Sequence, residues 1–197
     1  MRNSRLIWID DTWNPWMGCR KVSSACKFCY MHRILDGSVT NPNIVFKNTN
    51  TFNYPLKRKK GVKIFTCSMS DFFIEEADEW RDEVWEIIRK TPQHTYLILT
   101  KRPERIKENL PKNWSSVNFP HVWIGVTVED QKSVDRIHYL DEFGCNVKWV
   151  SFEPLLSGVY LTEKELNILD WAVLGGESGN LTGKYQFRKT ELSWFLA

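Results

Sequence analysis

Apolar and β-branched residues fall in short runs along the chain, separated by segments in which apolar residues recur at helical spacing. Lys63–Ser68 (KIFTCS), Thr95–Thr100 (TYLILT), Val122–Val128 (VWIGVTV), Val147–Phe152 (VKWVSF) and Trp171–Leu174 (WAVL) each read as a strand. Glu76–Lys90 sets Trp80, Val84, Ile87 and Ile88 on one helical face. Further helices are predicted over Pro103–Leu110, Gln131–Leu140 and Glu163–Leu169, and within Met31–Leu35. Arg5–Ile9 is expected to add a first strand, and Thr190–Leu196 to begin a last helix. Strands alternating with helices imply βαβ units and a parallel sheet. No glycine-rich phosphate fingerprint of the dinucleotide-binding type is present. The expected fold is therefore α/β, an open, partial (β/α)6 barrel. Nothing in the composition marks a linker, so residues 1–197 are expected to form one domain with its parallel core over 62–180.

Polar residues gather where these strands end: Ser68-Met69-Ser70-Asp71, Thr100-Lys101-Arg102, Thr127 through Glu129 and Asp130, Ser151 through Glu153, and Gly175-Gly176-Glu177-Ser178. A single group of this kind explains itself as a helix cap, a task suited to Ser70 or Asp71. Five such groups predict a shared pocket, because the strand ends of a barrel-like α/β fold converge on one face.

Composition narrows the picture. The hydrophobic share is 42% and the net charge +3, and no apolar run approaches the ~20 residues needed to cross a bilayer. The opening MRNSRLIWIDD turns acidic before a signal-like core develops, so a cytoplasmic protein is expected. The run Lys57-Arg58-Lys59-Lys60 reads as a solvated loop, with phosphate contact as the sharper alternative. Ten tryptophans are many for this length, and Trp80, Trp85, Trp123, Trp149 and Trp171 fall where core packing is the default. His94 and His121 flank proline-bearing turns and read as structural hydrogen-bonders. No Ser/His/Asp logic, His-Glu-x-x-His or Walker loop is present, and no catalytic acid or base is assigned.

The cysteines change the picture most. Cys19, Cys26 and Cys29 lie within eleven residues, in GCRKVSSACKFCY, with Phe28 directly before the last thiol and Tyr30 after it. The total of five is odd, and the crowding of three into one loop points to metal binding in a reducing compartment rather than to disulfides. Cys67 and Cys145 sit beside apolar stretches and read as small buried hydrophobes. Three thiolates from one loop can hold a four-iron, four-sulfur cluster and leave one iron open. The same three with His32 also read as a closed Cys₃His zinc site that would only staple the loop. Asp10, Asp11 and Asn14 upstream are expected to shape that loop.

The Cys-x-aromatic-Cys ending resembles the cluster loop of radical S-adenosylmethionine (SAM) enzymes, with a first spacing of six residues where three is usual there. TWNPWMGCRKVSSACKFCY, SMSDFF, TPQHTYLILTKRPERI, VWIGVTVEDQ, VSFEPLL and WAVLGGESG, in that order, resemble an uncharacterised family of phage- and prophage-encoded, radical-SAM-like three-cysteine proteins. The similarity runs from Thr12 to Gly179. It implies a cluster loop over residues 12–33, with Cys19, Cys26 and Cys29 as metal ligands and Phe28 near the adenine of SAM. Arg102 or Lys101 suits the methionine carboxylate. Glu129, Glu153 or Glu177 suits the ammonium group or a ribose hydroxyl, and Gly175 and Gly176 permit close backbone approach. Ser68, Ser70 and Asp71 complete the expected cofactor-binding set. A shortened C-terminus relative to that family implies an unpaired sheet edge, and with it an oligomer or a partner that completes the barrel.

Two functions follow as expectations. One is an enzyme that reductively cleaves SAM to generate a deoxyadenosyl radical, acting on a small-molecule or nucleotide-derived substrate, with nucleic acid among the candidate partners. The other is a zinc-stapled or iron–sulfur α/β protein without catalysis, which targets a host factor during phage infection and uses aromatic surface to do so.

Overall fold

The computed structural model describes residues 7–36 and 41–177. Its strands in chain order are β1 (Asp11–Trp13), β2 (Trp16–Met17), β3 (Phe46–Lys47), β4 (Lys63–Thr66), β5 (Thr95–Thr100), β6 (Val122–Thr127), β7 (Val147–Phe152) and β8 (Trp171–Leu174). Four α-helices accompany them: α1 (Tyr30–Asp36), α2 (Tyr54–Lys57), α3 (Asp78–Lys90) and α4 (Glu163–Ile168). Six strands form one parallel sheet in the order β1-β4-β5-β6-β7-β8, and β2 pairs antiparallel with β3 beside it. The fold is thus mixed α/β with a six-stranded parallel sheet. Among the described residues β1 and β8 are its two ends and do not pair, so no closed barrel is formed.

The strand order never reverses, unlike that of a doubly wound sheet. Crossovers of one hand then stack every connecting segment on the same face. Alternate residues show the result. Ile64, Tyr96, Ile98, Val122, Ile124, Val126, Val150 and Phe152 point into a large core with Val84, Trp85 and Ile88 of α3 and with Val134, Ile137 and Leu140. Their neighbours in sequence, Phe65, Leu97, Leu99, Trp123, Trp149, Trp171 and Val173, form a second cluster with Trp8 and Ile9 on the opposite face. Period-two alternation thus sorts each strand into a helix-facing row and an aromatic row.

Three expectations are corrected. Ile7 and Trp8 lie in a turn, and the first strand is Asp11–Trp13, which finds a parallel partner in Ile64–Thr66. Trp8 and Ile9 are apolar because they pack against the aromatic row, not because they belong to the sheet. Pro103–Leu110 is two 3-10 turns, Pro103–Arg105 and Lys107–Asn109, and Gln131–Asp141 is a 3-10 stretch opened by a capping box between Asp130 and Ser133. The helix expected over Thr190–Leu196 lies outside the described residues.

His94 and His121 are structural, as their neighbourhoods suggested. Each uses Nε2 to reach a backbone carbonyl, Pro55 at 3.2 Å and Ile88 at 3.0 Å respectively. Cys67 is buried, and Cys145 Sγ reaches the Val122 and Val147 carbonyls at 3.4 and 3.3 Å. No helix among the described residues is long and apolar enough to cross a membrane.

Candidate functional site

The C-terminal ends of the parallel strands open into a cavity of about 310 Å³. The cysteine segment forms its other wall, contributing Cys19, Cys26, Phe28, Cys29 and Tyr30. The strand ends contribute Ser68, Ser70 and Asp71 after β4, Lys101 and Arg102 after β5, Thr127 of β6, Ser151 and Glu153 at β7, and Gly176 and Glu177 after β8. Trp8, Phe65 and Leu99 of the aromatic cluster line it too. The row that is apolar at the start of the strands thus becomes polar where they end.

Two predicted residues stand apart from this lining. Glu129 is fully buried and bound by Arg136, whose Nη1 donates to Glu129 Oε2 at 2.6 Å and to the Thr127 carbonyl at 2.7 Å. Gly175 lies behind Glu153: a Cβ there would stand 2.2 Å from Glu153 Oε1, so only glycine lets that carboxylate take its place. Burial raises the Glu153 carboxyl above its ordinary value, while Ser151 Oγ, 3.3 Å away, and the Lys101 charge work against the rise.

The turn after β4 holds the cysteine segment in place. Cys67 has φ 63°, a left-handed backbone that a β-substituted residue rarely adopts, and the chain reverses there with Ser70 N donating to the Cys67 carbonyl at 3.0 Å. The turn so formed binds the cysteine segment along its length. Gly18 N donates to the Met69 carbonyl at 3.1 Å, and Ser70 Oγ donates to the Gly18 carbonyl at 2.5 Å. Met69 N donates to Asn14 Oδ1 at 2.8 Å, Trp16 Nε1 to the Asp71 carbonyl at 3.1 Å, and the Tyr30 hydroxyl to the Ser68 carbonyl. Gly18 is obligatory, since its φ is +90° and a Cβ would strike the Ile44 carbonyl. Cys19 N donates to the Pro42 carbonyl at 2.9 Å, whereas the backbone donors of Cys26 and Cys29 bond only within their own turns.

Asp71 is the hub. It accepts from Thr100 Oγ1 at 2.6 Å, Lys101 N at 2.9 Å and Phe73 N at 2.9 Å, and pairs with Arg102 Nη1 at 3.2 Å. Arg102 Nη2 donates to the Arg20 carbonyl at 3.0 Å, and Nη1 lies 3.9 Å from Cys19 Sγ. Burial, then the Asp71 charge, pushes the Cys19 thiol up to about 12, and Arg102 acts in the opposite sense. Lys101 has no ion-pair partner within contact distance among the described residues, so its ammonium is the cation that the cavity offers.

Cys19, Cys26 and Cys29 are all half-buried and free, and His32 lines the same cavity. Among the described residues, no three His, Cys, Asp or Glu side chains are gathered tightly enough to hold a single metal ion. Sequence reasoning passed over the turn at Cys67 and Met69, whose roles rest on a backbone conformation and on main-chain groups that carry no side-chain signature, whereas Asn14, expected to shape the cysteine loop, accepts from Met69 N. No curated protein and no solved structure matches the chain. Residues 3–196 match the family described as "Protein of unknown function (DUF5131)", and the chain belongs to that family.

Proposed function

We propose that Cys19, Cys26 and Cys29 hold a four-iron, four-sulfur cluster, and that the chain is a radical SAM enzyme built on a partial (β/α)6 barrel. Its substrate would be a small molecule, nucleotide-derived or otherwise. The observation that carries this reading is the single cavity onto which three thiols and the ends of five parallel strands open. The donor set fits: three thiolates match the iron–sulfur preference for soft ligands. Each would sit on its own iron, so the thiols need not meet at one point as they must around a zinc ion, with Zn–S about 2.3 Å. The unreversed strand order, with helix-side packing confined to one face, favours the barrel-like reading of the sheet.

When bound and reduced, such a cluster supplies the single electron that splits the sulfonium of SAM. The chain's own residues bind and orient. Lys101 is suited to the methionine carboxylate, because Arg102 is already committed to Asp71, Arg20 and Cys19. Glu153 and Glu177 line the cavity and are suited to the ammonium group or a ribose hydroxyl, with Gly176 allowing close approach and Phe28 offering its ring to the adenine. Ser68 and Ser70 belong to the wall that carries the cysteine segment. Trp8, Phe65 and Leu99 keep that side of the cavity apolar and dry.

His32 favours a second reading. It lines the cavity with the three thiols, so a closed Cys₃His zinc site in a protein that binds a host factor is the alternative. Anaerobic reconstitution with iron and sulfide decides between them. A brown protein with about four irons per chain is expected, together with deoxyadenosine formed from SAM under strong reductant and lost in Cys26→Ala. A colourless protein carrying one zinc, unable to cleave SAM, overturns the proposal.

A further inference from the structure

The three cysteines are not equivalent. Among the described residues, Cys19 alone of the three has a charged side chain against its sulfur: Arg102 Nη1 stands 3.9 Å from Sγ, whereas the polar contact of Cys26 is the Ser23 hydroxyl at 3.7 Å. Arg102 cannot drift away. Its side chain is buried, one side facing Asp71 Oδ2 at 3.2 Å and the other the Arg20 carbonyl at 3.0 Å, one residue beyond Cys19. Asp71 in turn is fixed by Thr100 Oγ1, Lys101 N and Phe73 N. A planar guanidinium satisfies a carboxylate without help from a sulfur, so the third contact is a separate feature of the arrangement. The backbone agrees, since Gly18 and Cys19 are tied to Met69 and Pro42.

We propose that Asp71 and Arg102 are positioning residues for Cys19, holding one fixed positive charge against its sulfur, with none among the described residues against Cys26 or Cys29. The consequence for a bound cluster rests on the reading given above; the clamp on Cys19 does not. A positive charge beside a cluster ligand favours the reduced, more negative state and raises the reduction potential. Arg102 and Asp71 therefore act with opposite signs, a pattern that a merely structural pair would not produce.

The test uses Arg102→Gln, Arg102→Lys and Asp71→Asn in the full chain. In reconstituted protein of equal iron content, the midpoint potential should move negative in Arg102→Gln, stay near wild type in Arg102→Lys and move positive in Asp71→Asn. In metal-free protein at one fixed pH, iodoacetamide labelling mapped by peptide mass should slow several-fold at Cys19 in Arg102→Gln and quicken in Asp71→Asn. Labelling of Cys26 and Cys29 should not change. Unmoved Cys19 labelling, or equal changes at all three cysteines, overturns the clamp. If Asp71→Asn does not fold, the contrast between Arg102→Gln and Arg102→Lys decides alone. If no cluster assembles in the wild type while the Cys19 labelling shifts as stated, the cluster reading falls and the clamp stands.

Discussion

The two faces of the parallel sheet are made from the same strands and do different work. One carries Ile64, Ile98, Ile124 and Val150 into a closed core against the helical side. The other carries Phe65, Leu99, Trp123, Trp149 and Trp171, and its row ends in Lys101, Thr127, Ser151 and Glu153 at an open cavity. The closed core is concentrated on the first face and the candidate site lies at the end of the second. Substitutions one residue apart on a strand should therefore fail in different ways.

The largest effect is expected at the cavity. Cys26→Ala should abolish iron binding, because three thiolates are the whole donor set of the proposed cluster, yet change the unfolding free energy relative to metal-free wild type by no more than about 0.5 kcal/mol, as for other partly exposed positions. Hydrogen exchange sharpens this. The Gly18 and Cys19 amides should keep their protection in the variant, since Met69 and Pro42 hold them without metal, while the turn around Cys26 should open. Retained iron in Cys26→Ala would remove the triad from consideration.

On the strands, neighbouring positions separate the faces. Ile124→Ala on the helix side should cost about 2–5 kcal/mol in denaturant unfolding, with normal iron content in the folded fraction. Gly125→Ala on the aromatic side should cost about 1–3 kcal/mol by overpacking. Its added Cβ would come within 2.5 Å of the Trp149 ring, so tryptophan fluorescence should shift as well. Equal and silent behaviour of the two variants would erase the distinction between the faces.

Cys67→Ser and Cys145→Ser should each cost about 1–3 kcal/mol from placing a hydroxyl where a thiol is buried (Cys67) or half-buried (Cys145), and leave iron content intact. Loss of metal in Cys67→Ser as complete as in Cys26→Ser would move the site from the triad to the strand end. The smallest effect concerns His121, on the helix-facing side beside Tyr96 and Phe119. Burial holds its pKa below the ordinary 6.5, so the unfolded chain takes up a proton that the folded one refuses. Its contribution is present above pH 6.5 and fades as the pH falls below that value. His121→Gln should flatten the acid limb of the stability profile, and an unchanged limb would show that the ring titrates freely.

Much of the sheet was legible in the sequence. TYLILT, VKWVSF and WAVL form strands over the expected residues, because continuous apolar runs of that length suit a sheet buried on both faces. Periodicity misled at Trp8 and Ile9, whose apolar side chains serve a packing cluster, and at Pro103–Leu110, where helix-like spacing closes only 3-10 turns. At the site, the cysteines and most polar strand ends were recognisable by residue type, and the parallel topology brings them to one cavity.

The sequence alone determined the alternation of strands and helices, the crowding of three thiols and the polar punctuation of the strand ends, because each is a local pattern of spacing and chemistry. Only the tertiary structure decided how those side chains are spent. It assigns Arg102 to Asp71 and Cys19, withdraws Glu129 into a pair with Arg136, and leaves Lys101 as the cation facing the cavity. It also makes a left-handed turn at Cys67 the support of the cysteine segment. The support of the cysteine segment and the clamp on Cys19 depend on groups that meet across more than fifty residues of chain, as Ser70 meets Gly18 and Arg102 meets Cys19, and no local pattern encodes those meetings.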